Sequence, residues 1–231
     1  MGAQEETGLQ GPDTGQHRRF ERRWPVVLTI VAVMILLSLL PKPIRLLPMW
    51  FTYIYAAVVL VPMAAVGLTG ARGRWVRLER TTMLLFVASA AILLIANLAN
   101  LVHAMARRAA DISGMELLVS GVGFWVSNVL VFSLMYWHMD RGGPEARANR
   151  EGRQTDWLFP QEAAPAADVP AGWRPTFIDY LYLAYSTATA FSTTEVAPLT
   201  ARAKLLMMLE STLSLVTIVV VMARAINIFG S

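Results

Sequence analysis

Five apolar runs, separated from one another by clusters of charged residues, set the rhythm of this chain. They cover 25–40, 47–68, 82–104, 115–139 and 203–229. A helix rising about 1.5 Å per residue needs around 20 apolar residues to cross roughly 30 Å of hydrocarbon, and all but the first run meet that length. Pro41, Pro43 and Pro48 make the passage from the first run into the second so tight that the pair forms a helical hairpin. The first run follows a basic stretch, as in a signal peptide. It ends in Leu39-Leu40-Pro41-Lys42 without small residues at a cleavage position, so it reads as a retained span. Residues 1–23, rich in Gly, Gln and charge, are expected to form a disordered tail.

Between the fourth and fifth runs the pattern changes twice. Residues 140–175 are dense in Arg, Glu, Pro, Gly and Ala with neither helical nor strand period, which predicts a flexible hydrophilic loop. The chain then turns apolar again, but a helix over 177–190 would be only about 20 Å long, too short to cross upright. Its start is marked: Pro175 stops any preceding helix, and Thr176-Phe177-Ile178-Asp179 has the form of a capping box. Its far end runs into Phe191-Ser192-Thr193-Thr194-Glu195 and then Pro198. Non-helical backbone at membrane depth is tolerated only where protein or water covers it. A short helix, a polar segment, a proline and a long apolar helix therefore predict a re-entrant loop. The expected fold class is all-α, a polytopic membrane protein of about five transmembrane helices plus a re-entrant pore-helix and loop. Its parts would be the tail over 1–23, a four-helix transmembrane region over 24–139, the hydrophilic loop over 140–175, and the pore-helix, filter-like loop and last helix over 176–231.

Composition strengthens this reading. Over 231 residues, 55% hydrophobic content and a mean hydropathy of +0.48 exceed what a soluble domain of this size can bury. The net charge of +4 is carried between the runs, where basic side chains act as topology signals and meet lipid headgroups, so it does not point to nucleic acid. The absence of cysteine excludes disulfides, thiolate metal sites, a thiol nucleophile and Cys-linked haem. His17, His103 and His138 are dispersed and lack carboxylates at ligand spacing, so no metal site is expected. Gly67-Leu68-Thr69-Gly70-Ala71-Arg72-Gly73 has no preceding strand and no Lys-Ser/Thr ending, so it is not a phosphate loop. With no local nucleophile–base–acid motif either, neither an enzyme nor a cofactor is expected.

The stretch Ser186-Thr187-Ala188-Thr189-Ala190-Phe191-Ser192-Thr193-Thr194-Glu195-Val196-Ala197-Pro198-Leu199-Thr200 resembles the pore region of tetrameric potassium-type channels. There a pore helix ends in Thr, a glycine-rich filter follows, and an acidic residue and a proline lead into the inner helix. The resemblance places Thr189, Phe191, Ser192, Thr193, Thr194 and Glu195 at filter-like positions. Phe191 to Thr194 contain no glycine, and consecutive carbonyls aimed at an ion demand backbone angles that residues with a Cβ resist. Potassium selection by a carbonyl cage is therefore rejected. What remains is an axis lined by Ser and Thr hydroxyls and a ring of Glu195 carboxylates, which would favour monovalent cations. Most of the chain from Thr82 onward is also similar to a family of uncharacterised bacterial integral membrane proteins. The shared features are Asp140-Arg141-Gly142-Gly143-Pro144, Phe159-Pro160, Asp179-Tyr180-Leu181-Tyr182, Ala188-Thr189-Ala190-Phe191-Ser192 and Ala223-Arg224-Ala225-Ile226-Asn227-Ile228. That resemblance implies an inner-membrane architecture and no assigned activity.

Other polar residues carry weaker signals. Glu195 has a structural alternative to facing a pore, which is to cap the following helix or pair with Arg202 or Lys204. Glu210 lies about two turns into the last apolar run, where a carboxylate is a functional candidate by default; the alternative is a pairing with Ser211, Thr212 or a pore-helix hydroxyl. Asn97, Asn100 and His103 at i, i+3 and i+6 either join helices by hydrogen bonds or line a proton or ion path. Ser120, Gly121, Gly123 and Ser127 form a small-residue patch for close helix packing. Trp50, Tyr53, Tyr136 and Trp137 fall near span ends, where aromatic rings anchor at the headgroups, and Trp125 is expected between helices.

Arginines 18, 19, 22 and 23, then 72, 74, 77 and 80, then 141, 147, 150 and 153 mark alternate loops, so the N-terminus and the long loop are expected in the cytoplasm. The pore loop would then enter from the cytoplasm, opposite to potassium channels, unless that segment crosses at a tilt. The leading expectation is a channel-like homo-oligomer, a tetramer by the resemblance, passing cations in the bacterial inner membrane. The alternatives are a non-conducting scaffold or regulatory subunit and a small transporter using Glu210 and Glu195 as proton-coupled carboxylates.

Overall fold

Apolar run by apolar run, the computed structural model turns the hydropathy pattern into helices. The structure describes residues 24–40, scattered positions between 48 and 64, and then 73–106, 114–148, 154–189 and 195–229. The tail, most of the second expected span and the filter-like positions Phe191, Ser192, Thr193 and Thr194 lie outside the described residues. The helices are α1 (Trp24–Leu39), α2 (Gly73–Ala106), α3 (Gly114–Met139), α4 (Pro144–Ala148), α5 (Pro160–Ala163), α6 (Phe177–Thr189) and α7 (Ala201–Phe229). Strands β1 (Trp157–Leu158) and β2 (Ala197–Pro198) form a two-stranded antiparallel pair. Among the described residues, three stretches are long and apolar enough to cross a membrane, Thr81–His103 in α2, Met115–Gly142 from α3 onward, and Ala201–Ala223 in α7. The protein is mostly helical and membrane-embedded.

Helix α3 is the hub: it packs most extensively on α6 and α7, and also on α2 and α1. Phe86, Leu94 and Leu101 of α2, Phe124, Phe132 and Leu134 of α3, and Tyr180 and Leu183 of α6 are all buried. Where lipid is as apolar as a leucine side chain, such contacts hold helices together by close packing rather than by escape from water. Gly121 shows how close: a Cβ there would lie 2.3 Å from Val221 Cγ2 of α7, so the expected small-residue patch does admit a neighbouring helix at this position. Gly123 meets nothing and instead borders a 340 Å³ cavity with Leu36, Leu39 and Met115. Along α7, Leu205, Met208, Leu215, Val216, Val219 and Met222 form an outward apolar face. No glycine or proline interrupts this helix.

The loop after α3 is less loose than its composition predicts. A turn at Asp140–Gly142 follows the helix, with Arg141, Gly142 and Gly143 at φ of 53°, 80° and 101°. At Gly143 a side chain would be strained by the positive φ and would press on the His138 carbonyl at 3.1 Å. Arg147 then folds back, donating from Nη1 to the carbonyls of Trp137 at 2.6 Å and Asp140 at 3.0 Å, which occupies acceptors the helix end leaves open. Its guanidinium also lies 5.0 Å from the centre of the Tyr180 ring. Trp157 and Phe159 of the loop are buried, because β1 lays them over the end of the helical bundle. The segment over 140–175, expected as a flexible hydrophilic loop, is docked on the helices at these parts. The headgroup reading of Tyr136 and Trp137 is corrected, both being buried beneath the loop; Trp50 and Tyr53 are exposed.

Candidate functional site

Helix α6 starts where its sequence marks it. The backbone N–H of Thr176 donates to Asp179 Oδ2 at 2.7 Å, and the Thr176 hydroxyl donates to the same oxygen at 2.8 Å. This beginning lies against the end of α3: Phe177 meets Trp137 edge to face at 6.2 Å, and the Tyr180 hydroxyl donates to Asp140 Oδ2 at 2.6 Å. The other end of α6 lies against α7. Ser211 donates its hydroxyl to the Thr187 carbonyl at 3.3 Å, and Ser214 donates to the Ala188 carbonyl. Ser211 and Ser214 are about 15 to 20 Å along α7 from its first residue. Carbonyls without helical partners are thus satisfied by hydroxyls of the neighbouring helix.

The chain comes back at the starting level. Leu158 and Trp157 pair with Ala197 and Pro198, and the Leu199 N–H donates to the Asp156 carbonyl at 2.8 Å. Thr200 then caps α7: its hydroxyl accepts from the Ala203 N–H at 3.3 Å and donates to Asp156 Oδ1 at 2.6 Å. Arg202 grips the same carboxylate with both arms, Nε to Oδ1 and Nη2 to Oδ2, each at 2.6 Å. Asp156 in turn donates its backbone N–H to Asp140 Oδ1 at 2.9 Å. Two carboxylates, both fully buried, therefore tie the end of α3, the loop, α6 and the start of α7 together.

Deeper in, Glu210 faces α3 and is fully buried. Its Oε2 accepts a hydrogen bond from the Tyr136 hydroxyl. Its backbone carbonyl accepts one from Asn128 Nδ2 at 3.2 Å. Its Oε1 and the Oδ1 of Asn128 are buried without hydrogen-bond partners, as is the Trp125 indole N–H. Tyr136 also stacks against Trp157 with ring centres 4.8 Å apart, which links this seam to the loop.

Of the filter-like residues, Thr189 and Glu195 are described. The Thr189 hydroxyl donates to the Ser186 carbonyl of its own helix at 3.0 Å, and Glu195 is exposed beside β2. The alternative for Glu195, a pairing with Arg202, is not the one formed, since Arg202 pairs with Asp156, and Lys204 is exposed. The partners expected for Glu210 are likewise corrected, since Ser211 bonds to Thr187 and Thr212 donates to the Met208 carbonyl of its own helix. Asn97 is buried and donates to the Leu93 carbonyl at 2.7 Å, Asn100 is half-buried and His103 is exposed. Trp125 is half-buried and meets Tyr185 edge to face.

Three groupings went unread in the sequence: the Asp140–Asp156–Arg202 cluster, Tyr136 as donor to Glu210, and Asn128. A signal for the last two existed, because a carboxylate within an apolar helix must find a donor on a facing helix. Among the described residues, no group of three or more His, Cys, Asp or Glu is arranged to hold a metal ion. Comparison of the chain with known protein families, curated proteins and solved structures finds no match.

Proposed function

We propose that the protein is a pore-loop membrane protein whose copies assemble around an axis, four by analogy with potassium-type channels, and pass monovalent cations. The observation that carries this reading is the path of the segment from Phe177 to Pro198. It starts beside Trp137 and Asp140, reaches Ser211 and Ser214 well along α7, and is back on Trp157 by Pro198. In a membrane such a path is a re-entrant hairpin, with α6 as the pore helix. Its C-terminal end, which carries partial negative charge, would face the middle of the bilayer, where that charge favours a cation.

The residue-level likeness of 186–200 to potassium-type pore regions supports the same reading, while the likeness from Thr82 onward to uncharacterised bacterial inner-membrane proteins bears on architecture alone. Phe191 to Thr194 carry no glycine, so Ser and Thr hydroxyls with the exposed Glu195 ring, rather than a carbonyl cage, would set selectivity. Counting α1 and the apolar run over 47–68, the hydropathy pattern offers five spans to this arrangement. The arginine distribution places the N-terminus and the loop after α3 in the cytoplasm.

One pore loop with one lining helix cannot enclose an axis, so oligomeric mass in mild detergent is the first test. A tetramer is expected, and a monomer removes the reading. In liposomes, Glu195→Gln is expected to lower cation over anion permeability. Tetrameric protein that conducts under no voltage or pH would instead identify a non-conducting scaffold. Single cysteines at Arg150 and Ser231, in a chain that otherwise has none, report the topology by labelling.

A further inference from the structure

We propose that Glu210 and Asn128 form a proton-binding site between α3 and α7, in which one exchangeable hydrogen bridges Glu210 Oε1 and Asn128 Oδ1. Both side chains are almost completely buried, and these two oxygens are the ones left without partners in residues that already share a hydrogen bond. Buried acceptors without a donor are costly, and one hydrogen shared between these two would satisfy both at once. A proton taken from water bonds to the carboxylate oxygen, and the resulting O–H is donated to the amide carbonyl. Glu210 and Asn128 then hold α3 and α7 together in both directions, while Tyr136 continues to donate to Oε2. Removing the proton leaves a buried carboxylate with a single donor.

A metal cation fits this place poorly. Hard cations such as calcium and magnesium take about six or more oxygens, and the hydroxyls of Ser211 and Ser214 are already engaged with Thr187 and Ala188. Among the described residues, the helices around it supply no compensating cation. From α3 the titratable neighbour is Tyr136, with Asn128 as the neutral polar one. Helix α6 brings the hydroxyls of Ser186 and Thr187, and α2 carries His103 on an exposed position. The nearest ion pair along α7, Asp156 with Arg202, lies two turns away and is closed on itself. Because Tyr136 stacks on Trp157, loading the site also bears on the loop.

Infrared difference spectra of the full chain in lipid vesicles, taken over a pH series, test this without reference to ion flux, so the outcome is separable from that of the channel reading. A protonated-carboxyl C=O band is expected that moves when glutamate is labelled with heavy carbon and weakens as pH rises. Tyr136→Phe should move it to higher frequency by removing a donor to the carbonyl, Asn128→Leu should shift it by removing the acceptor of the O–H, and Glu210→Gln should abolish it. The labelled wild-type protein and the two shift variants decide the matter even if Glu210→Gln fails to fold. Absence of the band at every pH, a band constant across the pH series, or one unmoved by Asn128→Leu overturns the site.

Discussion

At the end of α3 the carboxylates of Asp140 and Asp156 have both oxygens engaged, whereas Glu210, deeper between α3 and α7, has one oxygen bonded and one bare. The two clusters share helices and their carboxylates are equally buried, yet they are built for different ends. The first is a closed set: Tyr180, the Asp156 N–H, Thr200 and the fork of Arg202 occupy its oxygens, and Arg147 covers the adjacent carbonyls. A network whose carboxylate oxygens are all engaged in a low-dielectric setting fixes one arrangement of the chain. The second is open, with acceptors waiting for a hydrogen, which is how a site that changes state differs from one that only holds.

Substitutions can break this contrast. The largest loss of stability is expected for Trp157→Ala, about 3–5 kcal/mol, because it empties the space between the loop and Tyr136. Loss of helical signal in a denaturing-detergent titration measures it. Asp156→Ala comes next, at about 2–3 kcal/mol, since three donated hydrogen bonds disappear; the half-exposed Arg202, at 54%, is rewetted and limits the loss. Gly121→Ala should cost about 1–3 kcal/mol by pushing α3 off α7, and Val221→Ala in the same chain should return most of it. The smallest change, under about 1 kcal/mol, belongs to Glu210→Gln, whose amide oxygen still accepts from Tyr136 and whose NH2 can donate to Asn128. If Glu210→Gln proves as damaging as Asp156→Ala, the open cluster is as structural as the closed one and the distinction collapses.

How much of this was readable in advance follows the range of the forces involved. The ends of α3 and α6 are set within a few residues, by hydropathy, Pro175 and the Thr176–Asp179 box, and the sequence places them almost to the residue. Docking of the loop depends on contacts between residues 140, 156 and 202, which leave no periodic trace. Its one hint is a pair of large aromatics, Trp157 and Phe159, stranded in a polar segment. Tyr136 was misread for the same reason: an aromatic near a span end normally sits at the headgroups, and only the folded loop makes that position interior. Thr200 as the cap of α7 was overlooked beside the more conspicuous Pro198, although a Thr just ahead of an apolar helix is a local start signal.

The unbroken α7 has a mechanical consequence. Sharp kinks in helices arise almost always at proline, at glycine or serine pairs, at a bulge or where water intrudes, and 201–229 offers neither glycine nor proline. Over about 43 Å it can tilt or rotate as a stiff lever but has no elbow at which to fold. A displacement at Arg202 would therefore move the helix as one body, against the hydrogen bonds by which Ser211 and Ser214 hold it to α6.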